Sequence, residues 1–181
     1  MAPTSAQMLV WSKTRCETWR GRAHGETIRD LGWGRPTRRL AVVLAVLYAA
    51  GWVALSYARG GNPLAVSWER PVMAVVGVWL AFGEELAIRG FFLESLRRGG
   101  VPAWLQVVAS ALAMGSYHGV VGLHYSFFYA ASAAVLFGGV SLLFLLGRRS
   151  LLPGLVAHSL VHVLGDPVLT MGILRGVLAF H

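Results

Sequence analysis

Residues 81–92 read AFGEELAIRGFF, and this run decides the fold. Two carboxylates, Glu84 and Glu85, and one guanidinium, Arg89, interrupt a stretch that is otherwise apolar. Inside a bilayer helix each such charge costs about 2.5–3.5 kcal/mol on insertion scales. Glu85 and Arg89 stand four residues apart, so they share a helix face and can form an ion pair. Glu84 points about 100° away from Glu85 and has no cation at helical spacing. A purely structural, self-neutralising pair would account for Glu85 and Arg89. It leaves Glu84 unexplained.

The rest of the chain places this run in a membrane. Of 181 residues, 56% are hydrophobic and only 13% charged, and the mean hydropathy is positive. A soluble domain carries roughly 25% charged residues. The expectation is therefore an all-α, polytopic helical bundle with five to six transmembrane segments. The segments run from about Leu40 to Tyr57, Pro71 to Leu96, Ala103 to Leu123, Tyr125 to Leu146 and Leu151 to Gly165. A last apolar stretch, Pro167 to Phe180, has only about 14 residues against the roughly 17–25 needed to span. It is expected to tilt, lie at the interface or pack as a half-helix.

Residues 1–39 form a basic, polar tail ahead of a transmembrane domain at 40–181. The formal net charge is +8, but the basic residues cluster between apolar segments, so nucleic acid is not an expected partner. Arg97, Arg98, Arg148 and Arg149 fall on the side of the tail, and the positive-inside rule puts that side in the cytoplasm of a cell (inner) membrane. Trp11, Trp19 and Trp33 suit contact with an anionic lipid surface. The tail has no apolar core followed by a cleavage site, so a secretory signal is not expected in it. The single cysteine, Cys16, excludes an internal disulfide.

Three more ionisable residues lie in apolar segments. His118 sits in the third segment, in ALAMGSYHG. His158 and His162 sit in the fifth, in GLVAHSLVHVLGD, four apart and so on one face. A lone intramembrane histidine is often a satisfied packing residue. Three histidines and two glutamates on three helices point instead to a shared polar pocket. His124 reads as interfacial, and His24 and His181 carry no assignment.

Peptide hydrolysis needs a base to activate water, donors for the oxyanion and an acid for the leaving amine. Taking a carboxylate out of water strengthens it as a base. Glu84 suits that task, with His118 helping to hold the water, His158 and His162 stabilising the oxyanion, and Arg89 holding Glu85 in place. A second mechanism uses the same residues. Glu84, His118, His158 and His162 are ligand types for a divalent metal such as zinc, which would activate a bound water. The chain has no His-Glu-x-x-His helix.

The run Glu84-Glu85-x-x-x-Arg89 resembles the first motif of the CAAX protease and bacteriocin-processing family, also called the type II CAAX prenyl endopeptidase or Abi family. The family's second motif, Phe-x-x-x-His, is matched by Met114-x-x-x-His118, and its third, His-x-x-x-Asn or -Asp, by His158-x-x-x-His162. The resemblance covers roughly residues 68–166. It implies a glutamic-type intramembrane protease in which Glu84 activates water, His118 assists, His158 and His162 form the oxyanion hole, and Glu85 and Arg89 shape the site, with no metal required. Met114 for Phe is a packing change. His162 for Asn replaces an amide donor by an imidazole, which still donates one hydrogen bond when neutral and adds a third histidine to the zinc alternative.

The implied partner is a membrane-anchored protein or peptide substrate. The roles open to it are trimming of a C-terminal membrane tail in protein sorting, bacteriocin maturation or immunity, and cleavage of prenylated proteins. The competing reading is non-catalytic, an immunity factor or a proton- or ion-conducting helper. A conductor spreads its charges from one face of the membrane to the other, and these cluster in three short motifs. The sequence sets no oligomeric state. Counting from the segment ends at about 1.5 Å per residue, His118 lies about 10 Å nearer the non-cytoplasmic side than Glu84 and His158. A pocket therefore requires tilted helices or a third segment that begins deeper, with Pro102–Trp104 in the interface.

Overall fold

The computed structural model describes residues 29–58, 69–121 and 126–165. Every regular element among them is helical, so the chain is all-α. The helices are α1 (Arg39–Ala58), α2 (Glu69–Glu85), α3 (Leu93–Arg98), α4 (Ala103–Val121), α5 (Ser126–Leu146) and α6 (Leu152–Leu160). A π-helical turn, Leu86–Phe92, joins α2 to α3, and a second, Val161–Gly165, extends α6. The five expected segments meet these elements within a few residues. Cys16, His24, His124, His181, Trp11, Trp19 and the stretch 167–180 lie outside the described residues.

Around an apolar core, large apolar side chains face outward and several polar and charged ones are buried. Leu47, Val75, Trp79, Leu112, Val120 and Phe127 are exposed, whereas Glu85, Arg89, Glu94, Gln106, Ser110, Ser141 and His158 are buried. Apolar exteriors of this extent suit lipid, and buried polar groups then serve as contacts between helices. Among the described residues one helix, α1, is long and apolar enough to cross a membrane by length and composition. Residues Ala130–Leu146 and Leu152–Gly165 are shorter apolar helices. The α2–α3 rod falls short in apolarity because it carries the very charges that single it out: Glu84, Glu85 and Arg89, then Glu94, Arg97 and Arg98.

Small residues let the helices approach closely. Helix α1 buries Ala41, Ala45, Ala49 and Val53, spaced four apart on one stripe, against α5 and α6. Its Tyr48 hydroxyl donates to the Val135 carbonyl at 2.9 Å. Helices α4 and α5 form a tight hairpin, pinned by a buried Ser141–Ser110 hydroxyl bond of 2.8 Å. Helix α2 lies along α6 and its π-helical extension, which brings the first and third motifs together.

Residues 29–38, the end of the basic segment, pack against the bundle. The Leu151 N–H donates to the Gly32 carbonyl at 3.1 Å, and the Trp33 ring meets Phe82 edge-on at 5.3 Å. Arg98 donates to Asp30 at 2.9 Å. The Leu31 carbonyl lies where a Cβ on Gly90 would come within 2.9 Å of it. At the same end α3 stops in a Schellman turn. The Val101 N–H reaches the Leu96 carbonyl at 3.0 Å, and Gly100 takes φ +79°. Helix α5 ends in the same way but with Arg148 and Arg149, both at φ +60°, in the left-handed region that glycine ordinarily fills.

Candidate active site

The first motif sits where α2 passes into its π-helical turn, and His162 sits in the π-helical extension of α6. Such turns insert a residue and rotate the face that follows, and they recur at functional sites.

Glu85 and Arg89 are fully buried, and Arg89 Nη1 lies 3.1 Å from Glu85 Oε1. The sequence-based ion pair is present. It is also larger than a pair: the same Oε1 lies 3.1 Å from Nδ1 of His158. Arg89 Nη2 donates to the Phe137 carbonyl at 2.8 Å, and the guanidinium carbon stands 4.8 Å from the centre of the Phe137 ring. The other Glu85 oxygen presses on Gly154, where any Cβ would collide with it. Gly154 lies in the first turn of α6, whose positive dipole end favours the carboxylate.

His158 is the junction of the site. Its Nδ1 faces the Glu85 carboxylate, which only accepts, so Nδ1 carries the proton in the neutral ring. Its Nε2 lies 3.1 Å from Nε2 of His162, and the two rings stack with centroids 4.8 Å apart. With the lone pair on His158 Nε2, the His162 Nε2–H donates. Nε2 of His158 also stands 3.7 Å from Oε2 of Glu84. Glu84 keeps 23% of its side chain exposed, yet that Oε2 is buried and no protein hydrogen-bond donor among the described residues reaches it. Gly77 of α2 backs His162 so closely that a Cβ there would come within 2.6 Å of the His162 Cβ.

His118 lies apart from this chain of contacts. Its Nδ1 meets the Met114 carbonyl at 2.9 Å, so Nδ1 donates and Nε2 keeps its lone pair in the neutral ring. Its ring centre is 5.2 Å from that of Phe137, whose other neighbour is His158 at 4.9 Å. The Phe137 ring thus stands between His118 and His158. No hydrogen bond among the described residues links His118 to Glu84, His158 or His162.

Phe137, buried in α5, was not singled out from the sequence, although it touches Arg89, His118 and His158. An aromatic residue in an apolar helix looks like its neighbours, and nothing in the string marks it. The Cys, His, Asp and Glu side chains of the described residues form no group of three able to hold a metal ion. His158 Nδ1 is turned to Glu85, His162 Nε2 to His158 and His118 Nδ1 to a backbone carbonyl.

A family model described as Type II CAAX prenyl endopeptidase Rce1-like matches residues 66–164, a span that includes Glu84, Glu85, Arg89, His118, His158 and His162. Neither the curated proteins nor the solved structures gave a match. With more than half of its length matched, and its motif residues gathered inside an apolar helical bundle, this chain belongs to the Rce1-like type II CAAX prenyl endopeptidase family and is a membrane protease.

Proposed function

We propose that this protein is a polytopic intramembrane endopeptidase of the glutamic type, with its basic end in the cytoplasm, acting on a membrane-anchored protein near the end of its anchor. Glu84 is the general base. Its Oε2 takes a proton from water while the water oxygen attacks the carbonyl carbon. The same carboxyl then returns the proton to the leaving amine as the C–N bond breaks, so protons balance over the cycle. His118, through the free lone pair on Nε2, helps to orient the water. His162 supplies the oxyanion donor when its Nε2–H turns from His158 to the substrate oxygen. Glu85 and Arg89 hold the imidazole of His158 in register and touch no substrate.

The observation that carries this reading is the state of Glu84: a carboxylate oxygen buried without a protein donor, beside an imidazole that is itself held by the neighbouring glutamate. The mechanism needs no metal.

The test is cleavage of two probes by the purified full-length protein in lipid. One is a farnesylated peptide ending in a CAAX tetrapeptide, and the other an unprenylated peptide ending in a hydrophobic C-terminal anchor. Glu84→Gln is expected to abolish cleavage while leaving thermal unfolding close to wild type, and chelators are expected to leave the wild-type rate unchanged. Equal rates for wild type and Glu84→Gln would remove Glu84 as the base. Loss of activity on chelation, restored by zinc, would replace this mechanism by the metal-dependent one.

A further inference from the structure

The end of the bundle formed by α3, the α5–α6 turn and residues 29–38 gathers more positive charge than its acids neutralise. Arg97 Nε donates to Glu94 Oε2 at 2.8 Å, and Arg98 Nε to Glu94 Oε1 at 3.2 Å. Arg98 Nη2 reaches Asp30 at 2.9 Å, and Arg35 Nη2 stands 3.9 Å from the same carboxylate. Arg149 completes the group. Its Nη2 donates to Gln106 Oε1 at 2.8 Å, while its Nη1 is 3.9 Å from Glu94, too far for a hydrogen bond, and is buried without a partner. Among the described residues four guanidinium groups thus surround two carboxylates, a surplus of two positive charges. Arg148, exposed and next in the chain, adds a third.

Among the described residues positive charge outnumbers negative in this network. Burial draws the Arg149 guanidinium below its ordinary value, and Arg97 and Arg35 push it the same way against the pull of Glu94. An anion would relieve the repulsion. Arg97, 46% exposed, offers the approach. The apolar surroundings narrow the choice of anion. Leu146 and Leu152 flank the turn that carries Arg148 and Arg149 and are exposed, as is Trp104, two residues from Gln106 on α4. A soluble anion has no use for these side chains. A phosphodiester with acyl chains uses the charge and the apolar rim together, with tryptophan at the interfacial depth it favours.

We propose that this arginine cluster is a docking site for the phosphate of an anionic phospholipid, contacted by Arg97, Arg148 and Arg149. The site is separate from the motif residues and does not depend on their catalytic roles. By fixing a lipid against α3 and the α5–α6 turn it would hold together the ends of the two rods that carry Glu85 and His158.

The test uses the full-length protein in a non-ionic detergent, titrated with dioleoylphosphatidylglycerol, dioleoylphosphatidylcholine or inorganic phosphate. Native mass spectrometry reads bound lipid, and thermal unfolding reads stabilisation. Phosphatidylglycerol is expected to stay bound and raise the unfolding midpoint, with phosphatidylcholine and phosphate giving little. Each of Arg97→Gln and Arg149→Gln is expected to weaken phosphatidylglycerol binding about fivefold, and the Arg38→Gln/Arg39→Gln pair at the start of α1 to leave it near wild type. Should Arg149→Gln fold poorly, Arg97→Gln with Arg148→Gln, both at exposed positions, carries the same comparison. Equal binding of phosphatidylcholine would overturn the site, as would equal loss from the Arg38/Arg39 pair. A phosphate effect matching that of phosphatidylglycerol would overturn its assignment to lipid.

Discussion

Nδ1 of His158 lies 3.1 Å from Oε1 of Glu85, a bond between residues 73 positions apart. It joins the third motif to the first and makes the buried Glu85–Arg89 pair part of the site. An ion pair that only neutralised itself would have had no need of α6.

Breaking this pair is expected to be a fault of stability before it is one of chemistry. Both groups are fully buried, so Glu85→Gln or Arg89→Met leaves a charge without its counter-charge, a loss of about 3–5 kcal/mol. The double substitution is expected to cost less than the sum of the two, because each removes the other's stranded partner. Thermal unfolding in detergent, run on both single variants and the double, measures the difference. Additive losses would show that the two side chains do not interact.

His162 separates two explanations of the third motif. If its service is one N–H donor beside His158, as the 3.1 Å contact between their Nε2 atoms suits, Asn supplies a donor of the same kind. His162→Asn is expected to keep cleavage within about tenfold of wild type, and His162→Leu to lose about 100- to 1,000-fold, the range for removing one oxyanion donor. Equal inactivity of both variants would show that the imidazole itself is required.

Phe137 is expected to act on rate more than on folding. Its ring separates His118 from His158, and its carbonyl and face hold Arg89. Phe137→Leu keeps an apolar side chain of similar bulk and is expected to cost about 1 kcal/mol of stability. Loosening the two imidazoles by a fraction of an ångström is expected to lower kcat by up to about 100-fold, with KM little changed. Steady-state kinetics on whichever probe is cleaved resolve the two. A change confined to KM would move Phe137 from positioning to substrate contact.

Two glycines of α2 are expected to respond oppositely to alanine. In a helix interior Gly→Ala ordinarily stabilises by about 1 kcal/mol. At Gly83 a Cβ meets nothing within 4 Å, so Gly83→Ala is expected to follow the rule. At Gly77 the Cβ would come within 2.6 Å of His162, so Gly77→Ala is expected to lower both the unfolding midpoint and the cleavage rate. Unfolding curves for the two variants side by side suffice. A stabilised Gly77→Ala would mean that His162 moves aside freely.

Much of this protein was legible one-dimensionally. Helices α1, α2, α4, α5 and α6 follow from apolar runs closed by Gly, Pro and Arg, because backbone groups in lipid must be satisfied within the segment itself, whereas the π-helical break that sets α3 apart was not legible. Glu84, Glu85, Arg89, His118, His158 and His162 stood out because the penalty for placing an ionisable group in an apolar helix is local and needs no partner to be recognised. Which partner answers each penalty was decided only in three dimensions. That His158 takes Glu85 on one nitrogen and His162 on the other depends on how close α2 and α6 approach, and so on the missing side chains of Gly77 and Gly154. The place of Phe137 between two histidines and an arginine depends on the crossing of α4, α5 and the first π-helical turn. The packing of residues 29–38 against Gly90 and Leu151 is likewise a fact of shape. Charge in an apolar helix announces itself along the chain, whereas contact across helices depends on distances that no spacing in the sequence encodes.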